Sequence, residues 1–217
     1  MRALVPVAAF ALLAAASTPC DAQQADPLAE GTYRITVDGR PVGTEAFAIR
    51  RRGRDVRAVG RVRLDSAASG LSSLEVWLQT DGDFRPDLFR LRPRAGGPEA
   101  YTAVREGDRV RVRTSTSEGE RFREFLAPEG VAVFDPRIAH HWFLVLRYRA
   151  DDLAGGEAAL PAIVPVRNER ISLRVRQIGE ERIAVDERTV TAVRHEVAGG
   201  MSATVWTGEG GRVLRLE

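Results

Sequence analysis

Lysine is absent from this chain of 217 residues, so all 32 basic residues are arginine. Cysteine occurs once, and aromatic residues make up 6%. The missing lysines accompany abundant Ala, Gly, Pro and Arg, the signature of a GC-rich genome, so the arginine count is not in itself a sign of function. Asp and Glu number 30 and are spread among the arginines, leaving a formal net charge of +2. A nucleic-acid binder concentrates its positive charge in a block or stripe. No such block is present, and nucleic acid is not an expected partner. Beyond the first residues, no stretch is long and apolar enough for a membrane-spanning helix. A phosphate loop, a dinucleotide fingerprint, a calcium loop and a Gly-x-Ser-x-Gly elbow are all missing. No cofactor is therefore expected, and no catalytic residue is assigned.

The one cysteine, Cys20, lies in the opening "MRALVPVAAFALLAAASTPCDAQQ". Arg2 and the free amine form a small positive region. Ala3 to Ala16 is apolar apart from Pro6, and too short to span a bilayer. Cys20-Asp21-Ala22 then supplies a small-x-small cleavage site. This pattern is a secretory signal peptide over residues 1–22, cleaved after Ala22. A lipid anchor on Cys20 is disfavoured by Pro19, where lipoprotein signals carry Gly, Ala or Ser. The expected location is the periplasm or the outside of the cell. Cleavage removes the only thiol, so the mature chain enters an oxidising compartment without a disulfide and must rely on a packed core. About 195 residues remain, enough for a single β-rich domain over 23–217.

From Thr32 onward the dominant period is two. "TYRITVD" sets Tyr33, Ile35 and Val37 against Arg34, Thr36 and Asp38. "DRVRVRT" alternates Val110 and Val112 with arginines, and "RISLRVRQI" sets Ile171, Leu173 and Val175 opposite Ser172, Arg174 and Arg176. Such alternation marks half-buried strands of an antiparallel sheet. "DGRP" at 38–41, "RRGRD" at 51–55, "TDGD" at 80–83, "REGD" at 105–108, "SEGE" at 117–120 and "GEGG" at 208–211 carry hairpin-turn chemistry. "VWLQTDGDF" (76–84) and "VWTGEGGRV" (205–213) share a Val-Trp strand followed by a glycine turn. The spacing predicts a meander of ten or more strands, curled or closed.

The main helix is expected over 136–149, in "VFDPRIAHHWFLVLRYR", with Asp135 as its cap and Pro136 at the first position. A weaker helix is expected near Gly156 to Leu160. His140 and His141 are consecutive, so their side chains leave a helix about 100° apart, unlike the i,i+4 pairs that bind zinc. His141 is expected at the edge of the buried stripe, His140 partly exposed, and His195 on a distant strand. No metal site is assigned, and the three imidazoles stand only as the alternative. "LDSAAS" at 64–69 resembles the Asp-Ser/Thr-Gly element of retropepsin-like proteases but has Ala67 in place of the glycine.

The signal peptide, the meander, the lone helix and the closing "VWTGEGGRVLRLE" together resemble the open-barrel proteins of bacterial cell envelopes. These include the lipoprotein carriers and related uncharacterised secreted families. The opening "GTYRITVDGRPVGTEAF" is similar to the start of some of them. The resemblance implies an antiparallel curved sheet or half-open β-barrel wrapping one main α-helix, with acyl chains held between them. On that reading the chain is mainly β and non-enzymatic, associates with the cell envelope, and binds a lipid or another apolar small molecule. Trp142, Phe143 and Leu146, with Trp77 and Trp206 of the two Val-Trp hairpins, are the residues expected to line the cavity. Two alternatives remain: a metal-dependent or acid–base hydrolase using His140, His141 or His195, and an envelope scaffold that docks partners.

Overall fold

Alternating apolar and polar residues carry through into strands that build two sheets. The structure, a computed structural model, describes residues 25–64, 73–93 and 99–217. The signal segment, Cys20 and the Asp65–Ser69 part of "LDSAAS" lie outside the described residues. The first sheet is an eight-stranded antiparallel meander in chain order. Its strands are β1 (Asp26–Val37), β2 (Arg40–Arg52), β3 (Asp55–Leu64), β4 (Ser73–Thr80), β5 (Pro86–Pro93), β6 (Ala100–Glu106), β7 (Arg109–Thr116) and β8 (Gly119–Leu126). The second sheet is a six-stranded half-barrel. It contains β9 (Ala132–Val133), β10 (Glu157–Val164), β11 (Glu169–Val185), β12 (Arg188–Gly199), β13 (Ala203–Thr207) and β14 (Val213–Leu216). All its pairings are antiparallel except β9 with β10.

The turns follow from the residues that sit in them. Asp38 and Gly39 both take positive φ, 49° and 73°, as the tight β1–β2 hairpin requires. Between β4 and β5, the Asp81 carboxylate accepts the backbone N–H groups of Asp83 and Arg85. Arg105 spends its guanidinium on the backbone carbonyls of Pro86, Ala127 and Val131, tying β5 and the segment after β8 together.

Strict alternation breaks at several bulges, and the one in β11 moves the most residues. In β11, Ile171, Leu173 and Val175 face the core, but the pairing slips between Gln177 and Gly179, leaving Ile178 as an extra residue. A one-residue bulge exchanges the two faces of a strand. Beyond it Ile183 joins Ala192 and Trp206 in a small cluster separate from the main core. Val205, next to Trp206, belongs to the main core, so the second cluster covers the outer face of the half-barrel.

The main helix, α1 (Ala139–Tyr148), is clasped between the sheets, touching β3 on one side and β14 on the other. Every residue from Ala139 to Leu146 is buried. A helix apolar all round suits a site enclosed on all sides. The inward row of β3 runs Val56, Ala58, Gly60, Val62, and its two small residues let α1 approach. One buried cluster draws on both sheets and the helix. Mainly β architecture with curved antiparallel sheets around one main helix is therefore the observed fold.

Three local expectations are corrected. The helix begins at Ala139 rather than at Pro136, because Asp135 to Ile138 forms a turn closed by the Ile138 N–H on the Asp135 carbonyl at 3.1 Å. Residues 157–160 are strand, and the short second helix, α2 (Ala150–Leu153), comes earlier. His140 is completely buried instead of partly exposed.

Candidate functional site

The N-terminus of α1 is capped by a residue from β2, about 95 positions earlier in the chain. Glu45 lies on the inward face of β2 in line with Phe47 and Ile49, and is 2% exposed. One carboxylate oxygen accepts the Ala139 N–H at 3.1 Å. The other accepts the His140 N–H at 2.9 Å and lies 2.8 Å from His140 Nδ1. A carboxylate is well suited to this place, where unpaired N–H groups and the positive end of the helix dipole converge. The same contacts orient the His140 ring, with Nδ1 toward the carboxylate. The His140 ring stacks on Phe47, which stacks on Tyr33. The Tyr33 hydroxyl donates to the Val213 carbonyl at 2.9 Å, joining the two sheets. Gly60 makes the ring's position possible, since a Cβ there would fall 2.3 Å from His140 Cε1.

His141 meets His140 edge to face, with ring centroids 4.6 Å apart. Its Nδ1 lies 3.2 Å from the Asp135 carbonyl and 3.3 Å from the Asp135 nitrogen. Burial, reinforced by His140, holds His141 well below the usual imidazole range, so it is neutral. The two imidazoles do converge, although consecutive helix positions argue against it. Their Nε2 atoms have no hydrogen-bond partner. Both rings have no exposed surface, which closes them to a substrate in this conformation. His195 is elsewhere, on β12, and no group of three or more His, Cys, Asp or Glu side chains placed to hold a metal occurs among the described residues.

The turn leading into α1 is the floor of a cavity of about 520 Å³. The buried Asp135 carboxylate accepts the Arg137 backbone N–H and a two-point contact from its guanidinium, at 3.1 and 2.9 Å. Trp142 Nε1 donates to the Pro136 carbonyl at 2.9 Å and fastens the turn to the helix. Ile35, Val62, Leu64, Leu74, Leu91 and Ile138 supply apolar walls. Glu99, Tyr101 and Arg137 add a polar fringe. Tyr101 donates to the Glu99 carboxylate, and burial followed by that contact pushes its phenol up to about 12. Ile35 and Arg137 also line an adjoining, more polar cleft of about 440 Å³ between β1 and β14.

The residues expected to line a cavity are dispersed. Trp142 and Phe143 are core residues, and Trp142 packs edge-on against Phe134. Leu146 borders a different cavity at the far end of α1. Trp77 stands between the buried Val76 and Leu78 and so points to the outer face of the first sheet. Trp206 sits in the outer cluster, where its indole N–H donates to Glu181. Trp142 and Phe143 thus fill the middle of the space between α1 and the sheets, and this cavity lies at the helix N-terminus. Glu45, Asp135 and Arg137 escape sequence reading as site residues. One signal was present for Glu45, a lone carboxylate in the apolar row Glu45, Phe47, Ile49.

No family model matches this chain, and no curated protein matches it. Among solved structures, the crystal structure of a DUF1089 family protein from Pseudomonas aeruginosa is similar at 16% identity and a TM-score of 0.40, over 86% of this chain and 93% of that one. So distant a likeness carries no functional argument.

Proposed function

We propose that this is an exported, non-enzymatic protein of the cell envelope that holds the apolar part of a lipid or similar ligand at the N-terminal end of α1. The observation that supports this reading is the cavity of about 520 Å³, apolar on most sides and polar at Glu99, Tyr101 and Arg137. Ligand sites are commonly of this size and this mixed lining. The polar cleft that shares Ile35 and Arg137 gives an amphiphile somewhere to place its headgroup. Export rests on the character of residues 1–22.

The test is native mass spectrometry of the mature chain purified from bacterial envelopes, together with its melting temperature in the presence of added lipids. One bound amphiphile per chain and a raised melting temperature are expected. Val62→Trp, which fills the cavity from β3, removes both effects while leaving the far end of α1 untouched. A chain that carries no ligand and melts at the same temperature with and without lipid would overturn the reading.

A further inference from the structure

A second cavity, of about 450 Å³, opens at the other end of α1. Leu146 of α1 and Leu153 of α2 form its apolar wall, and Arg147 is its one charged lining residue. Arg147 is held in place from several sides. Its guanidinium lies 4.5 Å from the Phe143 ring centroid and 5.5 Å from that of Phe84, and it donates to the Gly210 carbonyl. No carboxylate forms an ion pair with it among the described residues, although the surface elsewhere is laced with Arg–Glu pairs. Its Nε is buried and has no acceptor.

His195, 5% exposed, lines the same cavity. Its Nε2 lies 3.0 Å from the Thr207 hydroxyl, while its Nδ1 is buried without a partner. Burial lowers the affinity of this imidazole for a second proton, so it is neutral. In the tautomer in which the Thr207 hydroxyl donates to Nε2, Nδ1 carries the proton and is a donor without an acceptor. An arginine Nε–H can only donate. In that tautomer two buried donors without acceptors belong to residues that line one cavity, beside a positive charge without an ion-pair partner, and buried donors left unpaired are costly. Gly210 and Gly211, with φ of 64° and 74°, form the border next to Arg147, where they present no side chain.

The geometry points to a binding site for a small organic carboxylate, its oxygens taken by Arg147 and His195 and its short apolar body lying against Leu146 and Leu153. A carboxylate fits better than phosphate because one cation and two donors match a single negative charge, and much of the lining is apolar. This site does not rest on the proposed lipid cavity, which lies at the opposite end of the helix.

The test is NMR of the mature chain labelled at histidine rings and arginine side chains, titrated with butyrate, acetate and inorganic phosphate at neutral pH. Butyrate is expected to shift the His195 ring and the Arg147 Nε–H signals together and to saturate at one per chain. Acetate, lacking the apolar body, should bind more weakly. Arg147→Lys keeps the charge but loses the fork, and Thr207→Val frees the imidazole tautomer. Each is expected to weaken butyrate by about tenfold, the order of one charge-assisted or tautomer-fixing hydrogen bond. Circular dichroism and the unchanged His140 and His141 signals report that both variants are folded. Absence of a saturable shift with butyrate would overturn the assignment, as would phosphate binding at least as tightly, or butyrate binding that both variants leave unaltered.

Discussion

The two ends of α1 are held by opposite means. At the N-terminus a carboxylate from β2 takes two backbone N–H groups and an imidazole, with almost no exposed surface. At the C-terminus an arginine rests on two aromatic rings and reaches a glycine turn, half in water. Both follow the helix dipole, negative charge at the start and positive at the end. They differ in desolvation. A buried carboxylate is tolerated only when its acceptor capacity is met, so the N-terminal clamp is rigid and structural. The arginine keeps access to water and an unused donor, and that end is the adaptable one.

The largest expected effect breaks the stronger clamp. Glu45→Ala strands two buried N–H groups and the His140 ring, for a loss of about 3 kcal/mol in urea unfolding. Arg147→Ala should cost about 1 kcal/mol, the value of a partly exposed cation–π contact. Equal losses would erase the contrast. Glycine substitutions sharpen it next. Gly60→Ala drives a Cβ into the His140 ring and should cost about 2 kcal/mol by overpacking. Gly210→Ala, strained only by its positive φ, should cost about 1 kcal/mol.

The pH dependence separates the ends further. His141 and His195 are both held below the ordinary imidazole value by burial, His141 the more strongly. Each is neutral in the fold but gains a proton in the unfolded chain below about pH 6.5. The unfolded state then binds more protons, so stability is complete above that pH and falls as the pH is lowered through it. Each histidine contributes a slope of up to about 1.4 kcal/mol per pH unit. His141→Gln should flatten the acid limb of the stability curve, measured by denaturant midpoints between pH 7 and 5, more than His195→Gln does. The smallest effect serves as the reference: Arg121→Ala on β8 removes an exposed pair with Glu118 of the preceding turn, 3.5 Å apart, and should leave the unfolding midpoint unchanged.

Much of this architecture is legible along the chain. Tyr33, Val110 and Leu173 each sit on the face that alternation assigns them. Asp38-Gly39 makes the turn its chemistry demands. The site is less legible. The row Glu45, Phe47, Ile49 marks Glu45 as inward, but nothing local says that a helix N-terminus waits there. Ile178 reads as the next residue of an alternating strand, and only pairing with β12 exposes it as the bulge that sends Ile183 outward to the cluster containing Trp206. Trp77 lies opposite Val76 and Leu78 on any reading, yet which face is the inner one depends on what covers it. His140 and His141 diverge by helix geometry, and their meeting depends on Glu45 and on the space left by Gly60.

By itself the sequence determined the strand-rich class, the tight turns and the existence of one main helix near residue 140, because these depend on neighbours within a turn or a few residues. Tertiary structure decided where that helix starts, which polar groups are sealed inside and where cavities remain. Those outcomes hang on contacts such as Glu45 with His140, 95 positions apart, whose geometry is set by the packing of whole sheets. Local propensity carries no information about the partner at that distance, and the energy of a buried charge depends entirely on that partner.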